Sequence, residues 1–205
     1  MNGSHRFELR VFSMQVFMHL KRGGSEDRRK AYDEIARAHE TKDPEAAWRH
    51  LQQVYAEEGL ALTREGRVGN PLEAQRLIWL AGKHNKSVEV LEALLEACHA
   101  KGEALSDLKV LNECAHKAGL AQSATDDVMA RFLVSPKGAS EVALQISECL
   151  TRGVTTSPVV VLDDRFPLMG AQPYAVVGAC LAELLATGTN FRVVEATTNT
   201  SAHWP

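Results

Sequence analysis

Apolar and polar positions change rhythm along this chain, and each change predicts an element. Phe7, Leu9 and Val11 alternate with Glu8 and Arg10 inside an apolar stretch from Arg6 to Met18. A period of two puts successive side chains on opposite faces, so an opening strand is expected there. Lys21 to Lys30 contains glycine and many charges, with Glu26 and Asp27 diluting the basic residues. It reads as a solvated loop leading into a helix rather than a nucleic-acid patch.

From there to about Leu150 the period is helical. Asp43 before Pro44 supplies a cap and a first-turn proline ahead of Glu45, Ala46, Ala47 and Trp48, and Asn70-Pro71 with Glu73 repeats the device ahead of Leu77, Ile78 and Leu80. Leu91, Leu94, Leu95 and Cys98 fall on one helical face, with Ser87 as the expected cap and Gly102 just beyond the end. Ser106 is expected to cap a helix that runs through Leu111 to Ala118 and stops at Gly119. A weaker pattern covers Asp126 to Leu133, and Pro136-Lys137-Gly138 introduces a helix to about Leu150.

The texture then turns to strand. Val159 to Leu162 is an uninterrupted apolar run, Asp163-Asp164-Arg165 is turn chemistry, and Phe166 to Met169 is a second short run, which together predict a β-hairpin. A last helix begins near Pro173 and carries Val177, Cys180, Leu181, Leu184 and Leu185. Residues 187–205 read as a C-terminal tail with a short strand at Phe191 to Val194. Strands flanked by a contiguous helical block suit an α/β fold with a large helical insertion better than a helical bundle.

Composition narrows the function classes. The chain has 205 residues, of which 45% are hydrophobic and 24% charged, enough for a globular domain with a sizeable core. A formal charge of -3 offers no broad field for phosphate backbones or an anionic membrane surface, so neither nucleic acid nor membrane is an expected partner. Met1 to Arg10 has no apolar signal core, and Val11 to Leu20 is too short and broken to span a bilayer. A soluble, cytoplasmic protein is expected.

Pro158 stands directly before the apolar strand, in Gly153-Val154-Thr155-Thr156-Ser157-Pro158-Val159. Proline is tolerated there because its missing N–H falls outside the ladder, and a fixed, cis-capable X-Pro bond would hold the preceding backbone rigid. After the turn come Phe166-Pro167-Leu168-Met169 and then Gly170-Ala171-Gln172-Pro173. This order resembles the FrnE-like branch of the DsbA family of thioredoxin-fold proteins. The resemblance extends upstream through Glu58-Gly59-Leu60, Asn70 with Ala74, Arg76 and Leu77, Leu91 to Gly102, and Leu105 to Gly119, covering roughly residues 7 to 186. Gly170-Ala171-Gln172-Pro173 is its specific part. Kappa-class glutathione transferases and hydroxychromene carboxylate isomerases look different at that helix start.

The resemblance implies a thioredoxin-like domain over 1–186 with a helical insertion at about 26–150, and a tail over 187–205. It implies thiol–disulfide exchange, in which Cys-x-x-Cys at a helix N-terminus supplies a thiolate. The strand near Phe7 resembles the family's second strand, and the sequence contains no Cys-x-x-Cys. The expectation is therefore an N-terminally incomplete fold with a degenerate active site and no catalytic residue. In thioredoxin-like sheets the first strand lies between the second strand and the hairpin. Unpaired buried backbone is costly, so Phe191 to Val194 or a partner chain is expected to fill its place, unless the sequence is a truncated copy. By resemblance, Ser157 and Pro158 form the cis-proline loop that pairs with an extended peptide. A peptide or protein partner at that edge, or a second copy of the chain, is the implied partner. The alternatives from other classes are a scaffold using the same fold and a glutathione-dependent isomerase or transferase.

Cys98-His99 and Cys114 with His116 have zinc-ligand chemistry, but they lie on separate helices without a tight ligand turn. Cys149 and Cys180 sit beside Ile146 and Val177 at helical spacing. All four cysteines are read as core residues, and neither metal nor cofactor is expected. Asp163-Asp164 is read as a turn, Asn70 as a cap and Arg76 as a charge on a helix face.

Overall fold

A computed structural model of the chain describes residues 9–11, 19–38, 40–122, 127–155 and 157–187, with the backbone alone at 127, 128 and 187. The elements run β1 (Ser25–Asp27), α1 (Arg28–Ala38), α2 (Pro44–Glu57), β2 (Arg67–Gly69), α3 (Leu72–Gly82) and α4 (Ser87–Leu95). A π-helical turn over Glu96–Ala100 extends α4. Then come α5 (Leu108–Lys117), α6 (Asp127–Val134), α7 (Ala139–Thr151), β3 (Val159–Leu162), β4 (Phe166–Met169) and α8 (Tyr174–Thr187). The chain divides into two compact units, with the boundary inside α7 between Gln145 and Ile146.

In the first unit the apolar faces of α3 to α6 meet. Leu77, Ala81, Val90, Leu94, Leu111, Ala115 and Leu133 are sealed from solvent, with Trp79, Ile78 and Leu105 packed around them. The expected helix starts are present, at Asp43 as the cap of α2 and at Asn70-Pro71, where α3 begins one residue later than expected with Pro71 in the cap position. The Asp43 carboxylate accepts from the Ala46 N–H at 2.9 Å, and Asn70 Oδ1 accepts from Leu72 N–H at 3.0 Å while its amide donates to the Leu20 carbonyl at 2.7 Å. These bonds satisfy donors that a helix start leaves open.

Two expected caps are corrected. Ser87 is the first residue of α4 and does not cap it. Ser106 does not cap α5; Asp107 does, its carboxylate accepting from Lys109 N–H at 2.8 Å. Ser106 is instead buried against Gly69, where any Cβ would lie 2.3 Å from its hydroxyl oxygen.

The segment expected to be a solvated loop contains β1, which pairs antiparallel with β2 in the register Ser25–Gly69, Glu26–Val68 and Asp27–Arg67. The Arg67 side chain braces this pair, donating to the Ser25 hydroxyl at 2.9 Å and carbonyl at 2.7 Å. Of the opening strand expected near Phe7, Leu9 to Val11 are described and form no strand; Phe7 lies outside the described residues.

Arg76 is not a helix-face charge but a fully buried guanidinium. Its five donors have five acceptors. One is the Glu73 carboxylate. The others are the carbonyls of Leu133 (3.0 Å), Phe132 (3.1 Å), Ser135 (2.6 Å) and Lys137 (2.7 Å). The last turn of α6 leaves carbonyls without intrahelical partners, and one arginine from α3 satisfies them together with the turn that follows. The Glu73 carboxylate is also held by Arg22.

In the second unit β3 and β4 form the expected antiparallel hairpin, Val159 opposite Met169 and Leu162 opposite Phe166. Asp163 and Asp164 occupy its turn with φ of 54° and 55°. Short Asx side chains tolerate that left-handed conformation better than most, and Arg165 pairs with Asp163 across the turn. Helix α8 follows as expected. Phe191 to Val194 lie outside the described residues.

Candidate functional site

The two residues singled out as a binding loop lie at the entry to β3. The Ser157–Pro158 peptide bond is cis, and both residues are exposed. The Pro158 carbonyl accepts from Gly170 N–H at 2.9 Å, which extends the hairpin pairing by one residue and ties Gly170-Ala171-Gln172-Pro173 to the loop. Gln172 donates to the Met169 carbonyl at 2.6 Å, closing the link from β4 to α8. Among the described residues β3 pairs with β4 alone. Val160, in the middle of β3, is exposed.

None of the four cysteines is in a disulfide, and no two form a Cys-x-x-Cys. Cys114 is a core residue, donating to the Ala93 carbonyl at 3.5 Å. Burial pushes its thiol up to about 11, with Glu103 acting in the same direction. Burial also raises Cys149, followed by the charge of Glu148. Both thiols are poor nucleophiles at neutral pH.

Cys98, Cys149 and Cys180 depart from the core reading, each being half-buried, and Cys98 departs furthest in its contacts. It lies in the π-helical turn, half-buried, and is not part of the core cluster. Arg28, fully buried at the start of α1, donates to both its carbonyl and its sulfur, the latter at 3.0 Å. The same guanidinium donates to the Tyr32 hydroxyl at 3.1 Å, and the Tyr55 and His99 rings lie 6.3 Å apart. Burial raises the Tyr32 phenol and lowers the His99 imidazole, the latter reinforced by the Arg28 charge. No sequence signal pointed to Arg28, because its contacts join α1 to the distant end of α4. Among the described residues no three His, Cys, Asp or Glu side chains are placed to hold a metal ion. No described helix is long and apolar enough to cross a membrane.

The model of the family "DSBA-like thioredoxin domain" matches residues 28–182. No curated protein matches the sequence. Among solved structures the chain is similar to a probable DsbA oxidoreductase from Streptomyces coelicolor, with a TM-score of 0.73 and 22% identity, covering 95% of this chain and 82% of that one. This likeness shows the thioredoxin-like DsbA fold.

Proposed function

Because the chain belongs to the DSBA-like thioredoxin domain family, we propose that it is a FrnE-like member that binds extended polypeptide along the outer edge of β3 and carries no dithiol exchange of its own. The observation that carries this reading is the exposed Ser157–Pro158 entry to β3, a strand that among the described residues pairs with β4 alone. Pro158 has no N–H to donate, so a peptide lying there meets the Ser157 backbone and then the edge groups of β3. The sequence holds no Cys-x-x-Cys, the pair that supplies the attacking and resolving thiols of the family mechanism, and this favours binding over exchange for the chain. Its place of action in this proposal is the cytoplasm, where four unpaired thiols persist in reduced form.

The test is a nuclear magnetic resonance titration of the full chain with carboxymethylated insulin B chain as an unfolded probe. Amide shifts concentrated in Ser157 and Val159 to Leu162, and weakened by Val160→Glu at an exposed β3 position, are expected. An absence of shifts at saturating peptide, or shifts that leave β3 untouched, would remove the proposal.

A further inference from the structure

We propose that Cys98 is a peroxide-reactive thiol, activated by the buried Arg28 guanidinium and oxidised reversibly to a sulfenic acid. The argument begins with the cation. Arginine keeps its charge in any protein environment, and a buried charge is tolerated only with compensation. Arg28 is 0% exposed and has no carboxylate partner among the described residues. Its Nη groups donate to a phenol, a carbonyl and a thiol, and its Nε–H is buried without a partner.

Two of the groups it touches can become anions. Burial keeps the Tyr32 phenol protonated at neutral pH. His99, lowered by the same burial and by Arg28 itself, stays uncharged and brings no second positive charge. The Cys98 sulfur lies 3.0 Å from Nη2, close enough for the guanidinium to stabilise negative charge that develops there in the reaction. It sits in a π-helical turn, a departure from regular helix often found at functional sites, and the residue is half-buried rather than sealed in the core. Cys114, sealed in the core, has neither the cation nor the access.

The step balances. The Cys98 thiol releases its proton to solvent and the sulfur attacks one oxygen of hydrogen peroxide. An S–O bond forms as the O–O bond breaks, and the departing hydroxide takes up a proton as water. Sulfur loses two electrons and peroxide gains them. A small thiol then attacks the sulfenic sulfur and releases water, and a second small thiol restores Cys98 and leaves as disulfide.

The experiment treats the full chain at pH 7 with hydrogen peroxide and dimedone, which traps sulfenic acids, and quantifies the adduct on each cysteine peptide by mass spectrometry. Cys180, also half-buried, is the internal reference. Labelling of Cys98 about tenfold above Cys180, and an Arg28→Gln variant that lowers it to the level of Cys180, are expected. The same measurement in urea, which needs no variant to fold, should abolish the preference. Equal labelling of Cys98 and Cys180 in the native chain, a preference that survives in urea, or full labelling in a folded Arg28→Gln variant would overturn the assignment.

Discussion

Replacing Arg76 with methionine tests the most concentrated polar feature of the fold. Methionine approximates the volume of the arginine stem, so packing in the α3 to α6 core is largely kept while all five donors vanish. The Phe132 carbonyl still accepts from Ser135, whose hydroxyl lies 2.7 Å away and whose N–H lies 3.0 Å away. The carbonyls of Leu133, Ser135 and Lys137 lose the bonds that Arg76 provides. Glu73, 4% exposed, retains Arg22 alone among the described residues. About 1 kcal/mol for each carbonyl, less where water reaches the turn, and about 1–2 kcal/mol for the half-compensated carboxylate give roughly 3–5 kcal/mol of destabilisation. Against a total stability of about 5–15 kcal/mol that is a large fraction. In urea unfolding followed by circular dichroism, a slope of about 2–3 kcal/mol per molar places the midpoint about 1–2 M below that of the natural sequence. Arg76→Lys, with three donors and no planar fork, should fall between the two. A methionine variant whose midpoint matches the natural one would refute the claim that this guanidinium holds the end of α6.

Three further outcomes follow from single contacts. Gly138 has φ of +79° and no room for a methyl, since a Cβ would lie 2.7 Å from the Trp79 ring; Gly138→Ala should lower stability by about 2–3 kcal/mol, read as a urea midpoint shift. Asp107→Ala should destabilise the chain by about 1 kcal/mol, whereas Asp107→Asn, which keeps the accepting oxygen, should leave its thermal midpoint nearly unchanged. His99 has a folded pKa below its unfolded value, so its contribution is fully present above about pH 6.5 and is lost as pH falls below that. The stability difference between the natural chain and His99→Gln, measured by urea unfolding from pH 7.5 to 5, should therefore shift in favour of the variant as pH falls.

The sequence made the helical block and the hairpin readable because their signals are local. Asp43-Pro44 and Asn70-Pro71 announce helix starts within two residues, and Val159 to Met169 contains both strands and the turn between them. Strands β1 and β2 escaped because three residues each are too few for alternation, and their pairing depends on Arg67 reaching back to Ser25. Ser106 and Asp107 are adjacent residues with similar capping chemistry, and only the close approach of Gly69 decides which of them faces inward. Arg76 and Arg28 were misread or missed for a shared reason. A charged residue is ordinarily solvated, and its burial becomes visible only when distant carbonyls or a distant thiol arrive to compensate it. In the candidate site, the placement of Ser157 and Pro158 before β3 followed from the strand pattern, while the tie from Gly170 to Pro158 is a tertiary detail.

The central claim, a DsbA-fold chain without dithiol chemistry, is tested most directly by insulin reduction. The full chain is mixed with insulin and dithiothreitol, and precipitation of the released B chain is followed by turbidity. The proposal predicts an onset no earlier than with dithiothreitol alone, since the sequence holds no Cys-x-x-Cys to attack a disulfide and resolve the mixed intermediate. An onset as early as that given by an equimolar Cys-x-x-Cys thioredoxin would contradict it.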